Sequence, residues 1–523
     1  MNEKKEGNSP NKLLAEALKK AKSVSKGGVV KSTDLTRLVR ERLIKANCLF
    51  EIFRGWYLLT TPSAAGSSTA WYDGLWAFIS YYLSDRFGAD GYCLSAEASL
   101  NLHVQDSVIP PQITVLTRKA SNQTIDLPYH TSLLMYSDER SFPKAVEEIM
   151  NVKVMALPES ICRLSQNYFK SKPLNVEIAL KHIQSAAQIS RFLLETNSVT
   201  AAARVVGAYE ALGDTQKANQ IIRDLEASGL VVAPLNPFES DRPQLKARHI
   251  RSPFVGRLEA LWSEMRGTIL RVFPPAPGLS KNDKKTLKII ERFYPEDAYH
   301  SLSIEGYQVT EALIKQIRDG NWDPDNREGD QRQRDALAAK GYHNAFQTVM
   351  KSAVKVLRGE NSGDVIEQDL QGWYRELFSP LVRAQLLRST DLAGYRNGQV
   401  HISNSRYIPP DKDSVPDAME SLMHLLKNEP EPQVRAILGH FIFVYIHPYM
   451  DGNGRVARFL MNLMFISGGF NWCIVRTAKR DEYMSSLEMA STKGNIEAFA
   501  KFIRGESEYW KRQLDRVEKR VKR

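Results

Sequence analysis

The residues His447-Pro448-Tyr449-Met450-Asp451-Gly452-Asn453-Gly454-Arg455-Val456-Ala457-Arg458 constrain this chain more than any other stretch. Val434, Ile437, Leu438, Phe441 and Tyr445 precede them at helical spacing, and Phe459, Leu460, Leu463 and Met464 follow in the same way. The pattern predicts a loop between two buried helices. Gly452 and Gly454 free the backbone to curl so that several N–H groups point one way, and Asn453 reads as a cap for the following helix. Free N–H groups at the positive end of a helix favour phosphate. Arg455 and Arg458, three apart, share a helix face and can both reach the outer phosphates of a nucleotide. Asp451 suits a magnesium ion, which keeps most of its waters and takes one or two carboxylates beside phosphates. His447 is then the base. Singly, each residue has a plainer reading as a core histidine or a simple turn. Together they make the set of groups that phosphoryl-type transfer needs.

Read as a whole, HPYMDGNGRVAR resembles the signature H-[FP]-x-x-[DE]-G-N-G-R-x-x-R of the Fic family, in the branch that transfers adenylyl groups. The resemblance implies transfer of AMP from ATP to a Ser, Thr or Tyr hydroxyl of a protein. It implies that His447 deprotonates the hydroxyl, that Asp451 binds Mg2+ and that Gly452, Asn453 and Gly454 cradle the ATP phosphates. Arg455 and Arg458 would grip the β and γ positions. Doc-like relatives, which transfer phosphate instead, carry Ala and Lys at the places of Gly452 and Gly454.

A second segment, Ser301-Leu302-Ser303-Ile304-Glu305-Gly306, is similar to the inhibitory (S/T)-x-x-x-E-(G/N) motif that many Fic proteins carry before the catalytic loop. Alone, six residues of this kind are equally a capped helix start. Beside the loop they imply that Glu305 pairs with Arg458, so that Arg458 cannot hold the γ-phosphate.

With 523 residues the chain is expected to form two to four domains. A formal charge of +11 makes a polyanionic partner plausible, although surplus Lys and Arg more often form solvated faces. The four cysteines, Cys48, Cys93, Cys162 and Cys473, have no metal-ligand or redox spacing. Without a leader-like opening or an apolar run able to span a bilayer, the expectation is a cytoplasmic protein with no membrane partner.

Residues 1–10 read as a polar, frayed start. A short amphipathic helix on Leu13, Leu14, Ala17 and Leu18 follows, then Ser32-Thr33-Asp34 as the cap of a second helix bearing Arg37, Arg40, Arg42 and Lys45. Leu49 to Phe53 and Trp56 to Thr60 read as strands joined at Arg54-Gly55. Two helices and a basic hairpin suggest a winged helix-turn-helix, with DNA as a partner through residues 1–60; the alternative is a small α+β cap with no nucleic-acid role. This region resembles the N-terminal part of AbiEi-type antitoxins, on RGWYLLT, on Tyr92 to Leu100, on Pro110 to Val115 and on helical sequence from Leu157 to about Gly229. Such domains are implied to bind DNA or to shape a toxin partner.

Residues 91–136 alternate as a small sheet does, and 144–229 read as helical. Recurrent prolines from Val231 to Leu279, with a helical stretch inside, mark a linker region. Beyond it the sequence is mostly helical, with loops at Asp323-Pro324-Asp325 and at Glu360 to Gly363. Gly394 to Pro410 reads as an extended hairpin, the flap of the Fic resemblance, along which a target protein would dock.

The expected fold is α+β. A mainly helical Fic catalytic domain at 280–507 has a β-hairpin flap and a basic tail at 508–523. Before it stand a winged helix-turn-helix at 1–62, a mixed antitoxin-like α/β then helical region at 63–230 and the Pro-rich linker at 231–279. Two rival functions remain: removal of AMP from a modified protein, with Glu305 orienting water, and a DNA-binding regulator whose Fic domain senses nucleotide with little turnover.

Overall fold

The computed structural model describes residues 10–61, 68–119, 122–139, 141–238, 252–279, 283–320 and 330–521. Residues 1–9 of the polar start, the loop at Asp323-Pro324-Asp325 and the last two residues of the basic tail lie outside them. The protein is mainly helical with small sheets, and it divides into two compact units. One comprises residues 1–253 with 401–408, the other 254–400 with 409–523.

In the first unit, helices Pro10–Val24 and Arg37–Lys45 pack on a three-stranded antiparallel sheet of Val29–Lys31, Trp56–Leu59 and Leu49–Phe53, in that spatial order. Ala17, Ala21, Val30, Leu43, Leu49 and Tyr57 form the core between them. The second helix begins later than expected. Ser32–Asp34 is a separate 3-10 turn, and Thr36 caps the helix by accepting from the Val39 N–H at 3.4 Å.

Helix Ser68–Phe87 covers the other face of this sheet, with Trp71, Tyr72, Leu75, Phe78, Ile79, Tyr82 and Leu83 buried. Trp56 meets Phe78, Tyr81 and Tyr82 edge-on. A four-stranded sheet follows in the order Tyr92–Leu94, Gln112–Thr117, Thr131–Ser137, Gln123–Leu127, with its two central strands parallel. Residues 144–155, expected to be helical, instead contain the hairpin Val146–Ile149 with Val152–Met155. Met150 and Asn151 both take positive φ at its turn, the geometry that suits the twist of paired strands. Six helices then run from Leu157 to Glu226. Segment 401–408 also belongs to this unit: Tyr407 bridges to Val108, and Ile109 donates to the Arg406 carbonyl at 2.9 Å.

The second unit is built around two helices buried on almost every face, Pro432–Ile446 and Asn453–Ser467. Long helices Asp330–Leu357 and Ser362–Arg383 form an antiparallel pair beside them, and Asp283–Ile304, Val415–Asn428, Arg480–Lys493 and Glu497–Val521 complete the bundle. The stretch read as linker supplies a further helix, Pro253–Val272. Phe254 stacks on Tyr445 and Arg266 grips the buried Glu429 carboxylate, so this helix is part of the unit's packing. The helix Glu497–Val521 runs through the start of the basic tail, where Trp510 is buried and donates to the Ile474 carbonyl at 2.7 Å.

Candidate active site

His447 ends helix Pro432–Ile446 in the left-handed conformation at φ 54°, which turns the chain out of the helix. Its Nδ1 lies 3.2 Å from the Val444 carbonyl, an atom that can only accept. Nδ1 therefore carries the proton, and Nε2 is left with its lone pair. Burial pushes the imidazole down to about 4, and the bond to Val444 only partly opposes this. The ring is neutral at pH 7 and can accept a proton at Nε2.

Beyond His447 the loop is pinned from two sides. Arg396 is buried and donates through its backbone N–H to the Pro448 carbonyl at 2.8 Å and through Nε to the His447 carbonyl at 2.9 Å. From within the loop, Asn453 Oδ1 accepts from the Tyr449 N–H at 3.0 Å and its Nδ2 donates to the Tyr449 carbonyl at 2.8 Å. Asn453 was expected to cap the next helix. It is that helix's first residue, its side chain is spent on the loop, and Gly452 at φ 83° takes the cap position. The helix's first N–H groups consequently have no side-chain cap, which is where an anion binds best.

Arg455 is wholly buried, with its guanidinium 5.2 Å from the Tyr307 ring and 5.1 Å from that of Phe378. Nη2 donates to Asp451 Oδ1 at 3.2 Å, whereas Nε and Nη1 have no hydrogen-bond partner among the described residues. Buried donors without acceptors are costly, and a phosphate oxygen would relieve them. Asp451 is about half exposed, and Oδ1 takes both of its bonds, from Gly452 N–H and from Arg455.

Arg458, also buried, faces helix Asp283–Ile304. Its Nε donates to Ser301 Oγ at 3.0 Å, and Nη2 donates to the Ser301 carbonyl at 3.1 Å and to Glu305 Oε1 at 2.8 Å. Glu305 lies just past the end of its own helix, where the dipole disfavours a carboxylate. Gly306 at φ 88° closes that end, with Tyr307 N–H donating to the Leu302 carbonyl at 3.1 Å. The Glu305 carboxylate is carried instead to the positive end of helix Asn453–Ser467. It lies so close to Gly454 that a Cβ there would collide with it. Sequence reasoning singled out His447, Asp451, Arg455, Arg458, Ser301 and Glu305, and the fold brings all six together. It did not single out Arg396, whose role depends on carbonyls more than fifty positions away.

The flap expected as a hairpin at 394–410 has no strand ladder. Side chains tie its limbs instead: Arg396 Nη2 reaches the Pro410 carbonyl and Gln399 Nε2 the Pro409 carbonyl at 2.8 Å, while Arg396 Nη1 turns back to the Gly398 carbonyl on its own limb at 2.8 Å.

Residues 364–465 match the model of the Fic/DOC family, so the chain contains a Fic domain, and the loop 447–458 lies inside the match. A protein adenylyltransferase Fic from Nematostella vectensis is 38% identical over 113 residues, 21% of this chain and 26% of that one. Another from Drosophila sechellia is 25% identical over 278 residues, 52% of this chain and 51% of that protein. The chain thus spans between a quarter and a half of the length of these curated relatives. Among solved structures, Fic-1 (residues 134–508) from C. elegans aligns over 70% of this chain and 92% of that one, at 16% identity and a TM-score of 0.39.

Proposed function

We propose that this protein transfers AMP from ATP to a Ser, Thr or Tyr hydroxyl of a target protein, and that Glu305 holds the reaction in check. The observation that carries the reading is the pair of unpartnered donors on buried Arg455, set beside an uncapped helix start that a carboxylate already overlies. This is a phosphate site with a side-chain anion standing in it.

In the reaction, the target hydroxyl oxygen attacks the α-phosphorus of ATP. The P–O bond to the β-phosphate breaks, pyrophosphate leaves, and the hydroxyl proton passes to His447 Nε2. Uncapped N–H groups at 453–455 and the two arginines hold the phosphates. Asp451 fits Mg2+, since a half-exposed carboxylate with one oxygen unengaged is the donor such an ion takes beside phosphates. Bound there, the ion would neutralise phosphate charge. Glu305 checks the reaction by occupying Arg458 Nη2, the donor the γ-phosphate needs. The target lies along residues 394–410.

His447 favours turnover over mere nucleotide sensing, because sensing needs the phosphate donors and no base. DNA as a partner of residues 1–60 draws less support from the second helix: Arg40 and Arg42 donate to the carbonyls of Ser32 and Leu13, and Arg37 pairs with Glu41. Incubation of the Glu305→Gly protein with α-labelled ATP and a lysate is the test. Label on protein supports the reading, and release of free AMP alone, with no labelled protein, contradicts it.

A further inference from the structure

The carbonyls of the last four residues of helix Asp283–Ile304 lie beyond the reach of the helix's own hydrogen bonding, and each finds a partner. Those of Leu302 and Ser303 accept from the Tyr307 and Gly306 N–H groups, both at 3.1 Å, in the turn that closes the helix. The Ser301 carbonyl accepts from Arg458. That of Ile304 accepts from Arg480 Nε at 3.0 Å, and Arg480 opens helix Arg480–Lys493. The Ile304 carbonyl belongs to the planar peptide unit that carries Glu305, so Arg480 fixes the plane from which Glu305 departs. One turn back, the Thr477 N–H donates to His300 Nδ1 at 3.3 Å, and the Thr477 hydroxyl lies 3.1 Å from the same nitrogen and 3.4 Å from the His300 carbonyl. The segment that carries both residues is itself held. The Arg476 N–H donates to the buried Glu506 carboxylate at 3.0 Å, and the Arg476 guanidinium grips its two oxygens through Nε at 3.0 Å and Nη2 at 2.6 Å.

We propose that Arg480 and Thr477 are positioning residues that hold Glu305 against Arg458, and so set how strongly Glu305 checks the reaction. Glu305 reaches Arg458 through one oxygen only, so its hold depends on where the end of its helix is fixed. The dipole at that end disfavours a carboxylate, and a guanidinium on the terminal carbonyl offsets this. Arg480 is about half exposed, and the Asp481 carboxylate 3.8 Å away is fully solvated, so the Ile304 carbonyl is its one close acceptor among the described residues. The side chains of Arg480 and Thr477 hydrogen-bond to helix Asp283–Ile304 and, among the described residues, to no part of the loop 447–458. Their influence on the site therefore passes through Glu305 and vanishes when Glu305 is removed.

The inference rests on the reading of Glu305 as the group that keeps Arg458 from the γ-phosphate, and its test is read by binding as well as by transfer. Arg480→Met is made with Glu305 intact and again in the Glu305→Gly protein. AMP transfer from α-labelled ATP and the calorimetric affinities for ATP and ADP are measured in both. With Glu305 intact, transfer and the preference for ATP over ADP should each rise about fivefold, as loss of one charge-assisted hydrogen bond allows. In the Glu305→Gly protein both readouts should stay within about twofold, because the group being positioned is gone. Arg480→Lys keeps the charge and a donor for that single acceptor, and should stay within about twofold of the parent. Thr477→Val, expected to act in the same direction by about twofold to threefold, decides the matter if Arg480→Met does not fold. No rise with Glu305 intact overturns the inference. So does an equal change in both backgrounds, which marks a merely structural role. If Glu305→Gly itself alters neither readout, the inference falls with its premise. If the preference for ATP responds but no label reaches protein, the positioning stands and the transfer reading fails.

Discussion

Glu305 Oε1 accepts from Arg458 Nη2 at 2.8 Å across a boundary of burial, the carboxylate side chain 27% exposed and the guanidinium 3%. The arginine cannot retreat to water, but the glutamate can. Displacement therefore falls to Glu305, and Glu305→Gly is expected to raise AMP transfer at least tenfold, since breaking such a pair is worth roughly 2–5 kcal/mol and about 1.4 kcal/mol is a factor of ten. Adding Arg458→Ala should abolish the gain. Label transfer from α-labelled ATP measures both, and a Glu305→Gly protein that is folded, binds ATP and is no faster than the parent removes the inhibitory role.

His447→Ala should lose transfer while ATP affinity, measured by calorimetry, changes less than about threefold. The imidazole meets the hydroxyl proton, and the phosphates are held by other residues. Equal transfer by variant and parent would take His447 out of the mechanism.

Arg455→Lys is expected to weaken ATP binding by about tenfold or more despite keeping the charge. An ammonium has no planar fork to fill the slot between Tyr307 and Phe378, and it loses the two donors that lack partners. Titration with ATP and with adenosine separates the effects, because adenosine affinity should be unchanged.

Arg396→Met keeps much of the side-chain volume but removes the donor to the His447 carbonyl. With the loop less firmly held, transfer in the Glu305→Gly background should fall about tenfold or more with little change in ATP affinity, since small misplacements of a catalytic group are costly. A parallel fall in ATP affinity would place Arg396 in phosphate binding.

His440 is fully buried, and its imidazole is pushed down to about 3, by burial first and by Arg458 second. The unfolded chain takes up a proton near pH 6.5 that the folded protein refuses, so the unfolded state binds more protons in that window. Stability contributed by keeping His440 neutral is thus present at pH 7 and is lost as pH falls below about 6.5, by about 1.4 kcal/mol per unit for each such histidine. His447 acts in the same direction. Asp297, raised to about 6 mainly by burial, has the opposite sign, losing stability as pH rises through about 4 to 6. Melting curves between pH 7 and 5 should show a shallower decline for His440→Gln, relative to its own value at pH 7, than for the parent.

Much of the second unit could be read from the chain because its chemistry is local. Gly452 to Arg458 occupy seven consecutive positions, and the apolar spacing on both sides marks two helices without any tertiary knowledge. Glu305 was legible only beside that loop. Asn453 was misjudged because its residue type suits a cap equally well, and only the path of the loop decides which backbone its amide meets. Helix Ser68–Phe87 went unread since it is apolar on nearly every side and shows no stripe. Helix Pro253–Val272 was legible as a helical stretch, but the prolines around it, which fall at its first residue and outside it, set it in a linker and hid its place in the packing of the second unit.

All four cysteines, Cys48, Cys93, Cys162 and Cys473, are buried, and burial pushes the thiol of Cys93 up to about 12. The native chain therefore offers reagents no accessible thiolate, and it can be labelled without first removing any residue. Met450 is 55% exposed at the crest of the loop, between the pinned Tyr449 and Asp451. A Met450→Cys protein would carry a fluorophore at that one position and report nucleotide arrival in real time.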